Sequence, residues 1–143
     1  MYAAFDPGGR TGIAIFYSDG SDLTKKSLTE EHFLLYLQML IKVRDNTFNT
    51  FIVEDFRLRQ DKALDLVGNN FVASRMIGAI QLTAHILKVP IVYQPSSILP
   101  TALKWAGIPK PRGHLPDELS AYAHGIHYLV KNNIRKHRIL EEN

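Results

Sequence analysis

Asp6, Glu54 and Asp117 are three carboxylates placed where a chain could build a site for a hard cation. Asp6 closes one apolar run (YAAFD), Glu54 closes another (TFIVE), and Asp117 opens a long helical pattern (PDELSAYAHGIHYLV). They stand 48 and 63 residues apart, so only tertiary folding can bring them together. Converging acids repel one another unless a cation lies between them, which makes a shared site a metal-site expectation rather than a stability feature. Carboxylate oxygens suit Mg²⁺ or Mn²⁺, ions that keep several waters and bind substrate phosphate directly. Two such ions about 4 Å apart can activate a water and stabilise a departing 3′-oxygen, which is phosphodiester hydrolysis.

Each acid also has an ordinary explanation. Asp before Pro-Gly is a common turn opener, and an acid in the first turn of a helix is favoured by the helix dipole. Glu54 at a strand end fits a surface ion pair equally well. Strand alternation puts Glu54 on the face opposite Val53 and Asp55, so only one of the two neighbouring acids can point to a given site. Glu118 faces about 100° away from Asp117 around the helix and is better explained by the dipole. The combination of the three with the order of elements is the stronger signal.

That order is read from hydrophobic period and turn chemistry. Tyr2–Asp6 and Thr11–Tyr17 are strands joined by a Pro7-Gly8-Gly9 turn, and a weaker third strand follows Ser18-Asp19-Gly20 at Leu23–Leu28. Thr29 is an N-cap ahead of Glu30 and Glu31, and Phe33, Leu34, Leu37, Leu40 and Ile41 repeat with helical spacing. Thr50–Glu54 is a strand, Arg57–Asp61 a polar loop, and Lys62–Leu87 a helix with an interruption at Gly68-Asn69-Asn70. Ile91–Gln94 is a short strand, Ser97 caps a short helix that stops at Gly107, and IPKPRGH is a loop. The last helix runs from Pro116 to Asn132-Asn133. The expected fold is therefore α/β, a five-stranded mixed sheet with three antiparallel strands and then two parallel ones, flanked by helices. Residues 1–133 form one domain, and 134–143 are a basic, then acidic, tail.

The chain has 143 residues, 45% hydrophobic and 22% charged, the profile of a soluble globular domain. No apolar run is long enough to span a membrane, the N-terminus does not look like a secretory leader, and there are no cysteines. A cytoplasmic location and no membrane partner are expected. A formal net charge of +3 hides an asymmetry. Residues 1–65 hold eight Lys/Arg against ten Asp/Glu, whereas residues 66–140 hold nine against only Asp117 and Glu118. A basic second half suits a polyanionic partner bound through phosphates. Arg10 follows the first turn, Arg57, Arg59 and Lys62 follow Glu54, and Lys110 and Arg112 precede Asp117, so basic groups flank all three acids. Lys104 is a candidate for positioning water. Phe56 and Trp105 can contact unstacked bases or pack in the core.

The run AAFDPGGRTGIAIF resembles the first hairpin of RuvC-like Holliday-junction resolvases, which carries their first metal-binding Asp. FIVEDF resembles that family's second strand motif, with its terminal glutamate. SRMIGAIQLTAHILKVPIVYQPSSILPTALKWAG is similar to the central helix, fifth strand and following helix, and HLPDELSAYAHGIHYL to the C-terminal helix that supplies the last ligands. The resemblance spans Met1 to about Val130, and the short length is most like phage-encoded members, which would place the protein in a host cytoplasm.

The resemblance implies a ribonuclease H-like fold, metal-dependent endonuclease activity on four-way DNA junctions, and a homodimer with the helix Lys62–Leu87 as its dimer element. No small-molecule cofactor is implied. Asp6, Glu54 and Asp117 would be metal ligands. Family members commonly place two ligands three residues apart, and here the fourth is either His114, in His114-x-x-Asp117, or the final acid is lost at Ser120, with Glu118 beside it. His114 is the preferred reading. His124 and His127 lie two or more turns beyond Asp117 and read as packing or surface residues. A nuclease acting on structured RNA or RNA–DNA hybrids, and a non-catalytic nucleic-acid-binding module of the same fold, are the alternatives.

Overall fold

Strand pairing places the elements in the sheet order β3-β2-β1-β4-β5. The strands are β1 (Tyr2–Asp6), β2 (Arg10–Phe16), β3 (Asp22–Thr29), β4 (Thr50–Glu54) and β5 (Ile91–Gln94). The helices are α1 (Glu30–Lys42), α2 (Val67–Leu87), α3 (Leu99–Ala106) and α4 (Asp117–Lys131). β1, β2 and β3 pair antiparallel, and β4 and β5 extend β1 in parallel. This is the mixed sheet expected from the sequence. The computed structural model describes residues 1–56 and 67–136, with 67–70 in backbone only. Arg57, Arg59, Lys62 and the expected start of the second helix lie outside the described residues.

The period of two along each strand sorts the core into two layers. Ala3, Phe5, Ile13, Ile15, Phe51 and Val53 pack beneath α1 and α2, against Phe33, Leu37, Met76, Ile77 and Ile80. Ala4, Ala14, Phe16 and Ile52 face the other way and meet Ala121, Tyr122, Ile126 and Leu129 of α4. Asp6 and Glu54 share the parity of Ala4 and Ile52, so both belong to the α4 face. Asp55 falls on the other parity and is buried.

Three local expectations change. β3 is a full eight-residue edge strand, mostly exposed, whose Lys25 and Lys26 blunt an edge that would otherwise invite pairing. The backbone is helical through Gly68-Asn69-Asn70, because a glycine penalty of about 1 kcal/mol is outweighed by the packing of the turns that follow. Ser97 does not cap α3. A 3₁₀ turn at Ser96–Ile98 leads directly into it, and Ile98 occupies the cap position with no side-chain bond. Thr29 does cap α1, accepting from the His32 amide, and Gly107 ends α3 in the left-handed conformation at φ 71°. Ile134 packs beside α4, and Arg135 pairs with Asp22, so the chain beyond α4 turns back onto the β2–β3 end of the sheet.

One glycine sets how closely α4 approaches. Gly12 pairs with Asp6 across β1 and β2, and a Cβ there would overlap the Asp117 carbonyl and the Glu118 amide. Only a residue without a side chain lets the first turn of α4 rest directly on β2. Gly12→Ala is expected to destabilise the fold by about 1–3 kcal/mol, as overpacking against backbone does. The check is the urea midpoint, with Gly113→Ala, where nothing lies within 4 Å of the added carbon, as the unchanged control.

Candidate active site at the strand ends

Parallel pairing brings Asp6 and Glu54 together. The β1–β4 register runs Ala4 with Ile52 and Phe5 with Val53, and one step further Asp6 comes level with Glu54. Glu54 in turn pairs with Gln94, so Gly12, Asp6, Glu54 and Gln94 form one row across β2, β1, β4 and β5. α4 lies over this row. Successive strands are about 4.8 Å apart, and three or four helical residues rise about 4.5–6 Å, so each turn of α4 meets a new strand. Asp117 rests at Gly12, Ser120 Oγ donates to Glu54 Oε2 at 3.2 Å and also hydrogen-bonds Asp6, and His124 Nε2 lies 3.5 Å from Glu54 Oε2.

The electrostatics record the crowding. Burial pushes the Asp6 carboxyl up to about 9, helped by the charge of Glu54 and a hydrogen bond between the two carboxyls, with Ser120 opposing and Asp117 adding slightly. Burial and the adjoining charge of Glu54 both favour the protonated form of Asp6. Burial also raises Asp117, while His114 pulls it down, Glu118 raises it and Arg10 lowers it. Burial lowers His124, with Glu54 raising it in part.

The remaining candidates are placed as follows. His114 Nε2 lies 3.8 Å from Asp117 Oδ1 with its side chain 86% exposed, a position at the rim of the acids rather than among them. Glu118 is half-buried about 100° round the helix from Asp117, on which its charge acts. Arg10 is held by Ser27, through its Nε at 3.0 Å to Oγ and Nη2 at 3.1 Å to the carbonyl, close enough to Asp117 to influence it. Lys104 and Lys110 line an apolar groove of about 430 Å³ with Leu99, Pro100, Leu103, Ile108 and Pro111, a lining that includes none of the three acids. Arg112 is exposed in the loop before α4. Trp105 stacks on His127, with centroids 4.8 Å apart, and Phe56 packs against the α1–α2 core. Both aromatics therefore serve packing.

Ser120 and His124 are where sequence reasoning fell short. Ser120 entered only as a lost acid, yet its hydroxyl joins the two carboxyls. His124 was set aside for its axial distance from Asp117. Seven residues make nearly two full turns, so His124 returns to the face of Asp117, and that same distance carries it across the row to β4 and β5. The phase was the available signal; the missing information was that the row runs beneath the helix.

Among the described residues, no three carboxylate or imidazole groups are already gathered at ligating distance around one point. The donor set nonetheless fits a divalent cation: two adjoining carboxyls, a third acid nearby, and a buried His124 nitrogen with no hydrogen-bond partner.

The chain shares the fold of RuvC. It is similar to Thermus thermophilus RuvC in complex with a Holliday junction substrate, with a TM-score of 0.63 and 16% identity, covering 92% of this chain and 94% of that one. It is also similar to a second structure of Thermus thermophilus RuvC, with a TM-score of 0.52 and 15% identity, over 93% and 96% of the two chains. At this identity the likeness is one of fold, and the mixed five-stranded sheet with helices on both faces is ribonuclease H-like. No family model and no curated protein sequence matches the chain.

A carboxyl held more tightly protonated in the folded chain than in the unfolded one lowers stability as pH rises between the two values. For Asp6 that window runs from 3.8 to about 9. In EDTA, Asp6→Asn is therefore expected to stabilise the protein at pH 8 by on the order of 1–2 kcal/mol, or several degrees in Tm, with the gain vanishing near pH 4. Thermal melts across that range read it, and an equal shift at both ends would dissociate Asp6 from the effect.

Proposed function

We propose that this protein is a divalent-metal-dependent endonuclease that resolves four-way DNA junctions by paired symmetric nicks. The observation that supports the reading most is the pairing of Asp6 and Glu54 at the ends of two parallel strands, within a fold shared with a protein seen bound to a Holliday junction. Asp6, Glu54 and Asp117 would hold Mg²⁺ or Mn²⁺, in keeping with their hard oxygen donors. When bound, such ions supply Lewis-acid stabilisation of phosphate charge and a water acidic enough to attack at neutral pH. Ser120 orients Glu54 by its hydrogen bond. His114, exposed beside Asp117, can take up or release a proton at the solvent rim. Arg10 lies beside the acids, and Lys110 and Arg112 approach in the preceding loop, a set suited to DNA phosphates. Lys104 belongs to this basic set rather than to water positioning.

Two nicks at equivalent strands require two sites, and a homodimer supplies them. On α2, Phe71, Arg75, Gly78, Leu82 and Ile86 follow helical spacing and are all exposed. Nothing lies within 4 Å of a Cβ built on Gly78, so a second helix can approach closely there.

A synthetic immobile junction incubated with and without Mg²⁺ tests activity. Symmetric paired nicks with Mg²⁺, and none in EDTA, are expected. Asp6→Asn, Glu54→Gln and Asp117→Asn should each lower cleavage by at least about 10³-fold while junction binding in gel mobility persists. Near-wild-type nicking by any one variant would remove that residue from the site, and cleavage of structured RNA in preference to the junction would redirect the substrate. For the dimer, Leu82→Asp is expected to convert a sedimenting dimer to monomer and replace paired nicks with single ones. An unaltered sedimentation coefficient would take α2 out of the interface.

A further inference from the structure

His124 is a buried group that the carboxylate mechanism does not use. Its side chain is fully buried, and its Nδ1 lies 2.8 Å from Gln94 Oε1. An amide oxygen only accepts, so in the neutral ring Nδ1 carries the proton and Nε2 keeps a lone pair. That lone pair has no hydrogen-bond partner and faces Glu54 Oε2 at 3.5 Å. A neutral imidazole nitrogen opposite a carboxylate oxygen is two acceptors confronting each other without a donor. Thr11 Oγ1, Ser96 Oγ and His127 Nδ1 are the other buried polar atoms without partners among the described residues, but none of them has an ion-pair contact with an acid.

Such an arrangement is what a metal-binding histidine has before its ion arrives. The far nitrogen donates to an oxygen that fixes ring and tautomer, and the near one is left free. His124 Nε2 and Glu54 Oε2 lie 3.5 Å apart, close enough that both would be within reach of one ion. We propose that His124 Nε2 is a nitrogen ligand in this site, acting with Glu54 and positioned by Gln94, and that it biases the site toward imidazole-accepting divalent ions such as Mn²⁺ over Mg²⁺. This rests on the metal-site reading above, and extends it to a residue outside the carboxylate set. Imidazole favours later first-row ions, whereas Mg²⁺ prefers oxygen.

The probe is Mn²⁺ alone, with no DNA, added to a His114→Ala protein so that the exposed histidine gives no signal. Pulsed EPR should show a directly bound imidazole nitrogen, and ¹⁵N-histidine labelling should convert that coupling from ¹⁴N to ¹⁵N without altering the fold. His124→Gln should remove the coupling and weaken Mn²⁺ at least ten-fold by titration, while Mg²⁺ affinity changes less than about three-fold. If His124→Gln does not fold, the labelled His114→Ala protein still decides the matter. Independently, ¹⁵N NMR of the metal-free protein should place the His124 proton on Nδ1, and a proton on Nε2 overturns the proposal. Mn²⁺ bound without nitrogen coupling overturns the role of His124 and leaves the carboxylate site standing. No Mn²⁺ binding at all overturns both.

Discussion

The in-register parallel pairing of β1 with β4 is the constraint from which the site follows. It leaves two acids side by side at the C-terminal ends of neighbouring strands, the edge of an α/β sheet where ligands characteristically bind. Burial at this edge, with the neighbouring charge of Glu54, raises the Asp6 carboxyl. A slip of one residue in either strand would turn its acid to the α1–α2 layer and bury charge among Phe33, Met76 and Ile80. The apolar faces of the two strands thus enforce the position of their acids.

α4 completes the row because its rise matches the spacing of the strands beneath. The absence of a side chain at Gly12 brings its first turn down at Asp117, Ser120 reaches the carboxyl pair one turn later, and His124 reaches β4 and β5 after two. A helix raised by one methyl group at β2 would lift all three groups together. The packing of Ala121, Tyr122, Ile126 and Leu129 into the sheet therefore serves geometry as much as stability.

The elements and their order were legible because period, caps and turn residues agree with the fold at almost every step. Asp6, Glu54 and Asp117 were legible as ends of elements. What escaped depends on neighbours that no linear pattern names. Ser97 looked like a cap but the chain enters α3 from a helical turn, so the first amides need no side-chain acceptor. His124 looked remote because distance was counted along one helix, not across the sheet it covers. His114 was read as a ligand from its spacing to Asp117, and its exposed position suits proton exchange at the rim as well as coordination.

A site assembled this way carries its own destabilisation. The raised Asp6 carboxyl and the unpartnered Nε2 of His124 both belong to one buried cluster rich in acceptors. Hydrophobic replacement of any member would relieve the strain and lose the charge that a cation needs. On the proposed metal-site reading, a proton and a divalent ion would compete for the same acceptors, so raising pH would favour cation binding. The pairing of β1 with β4 and the close approach of α4 at Gly12 hold these groups on one row, and the two apolar layers keep that row in register.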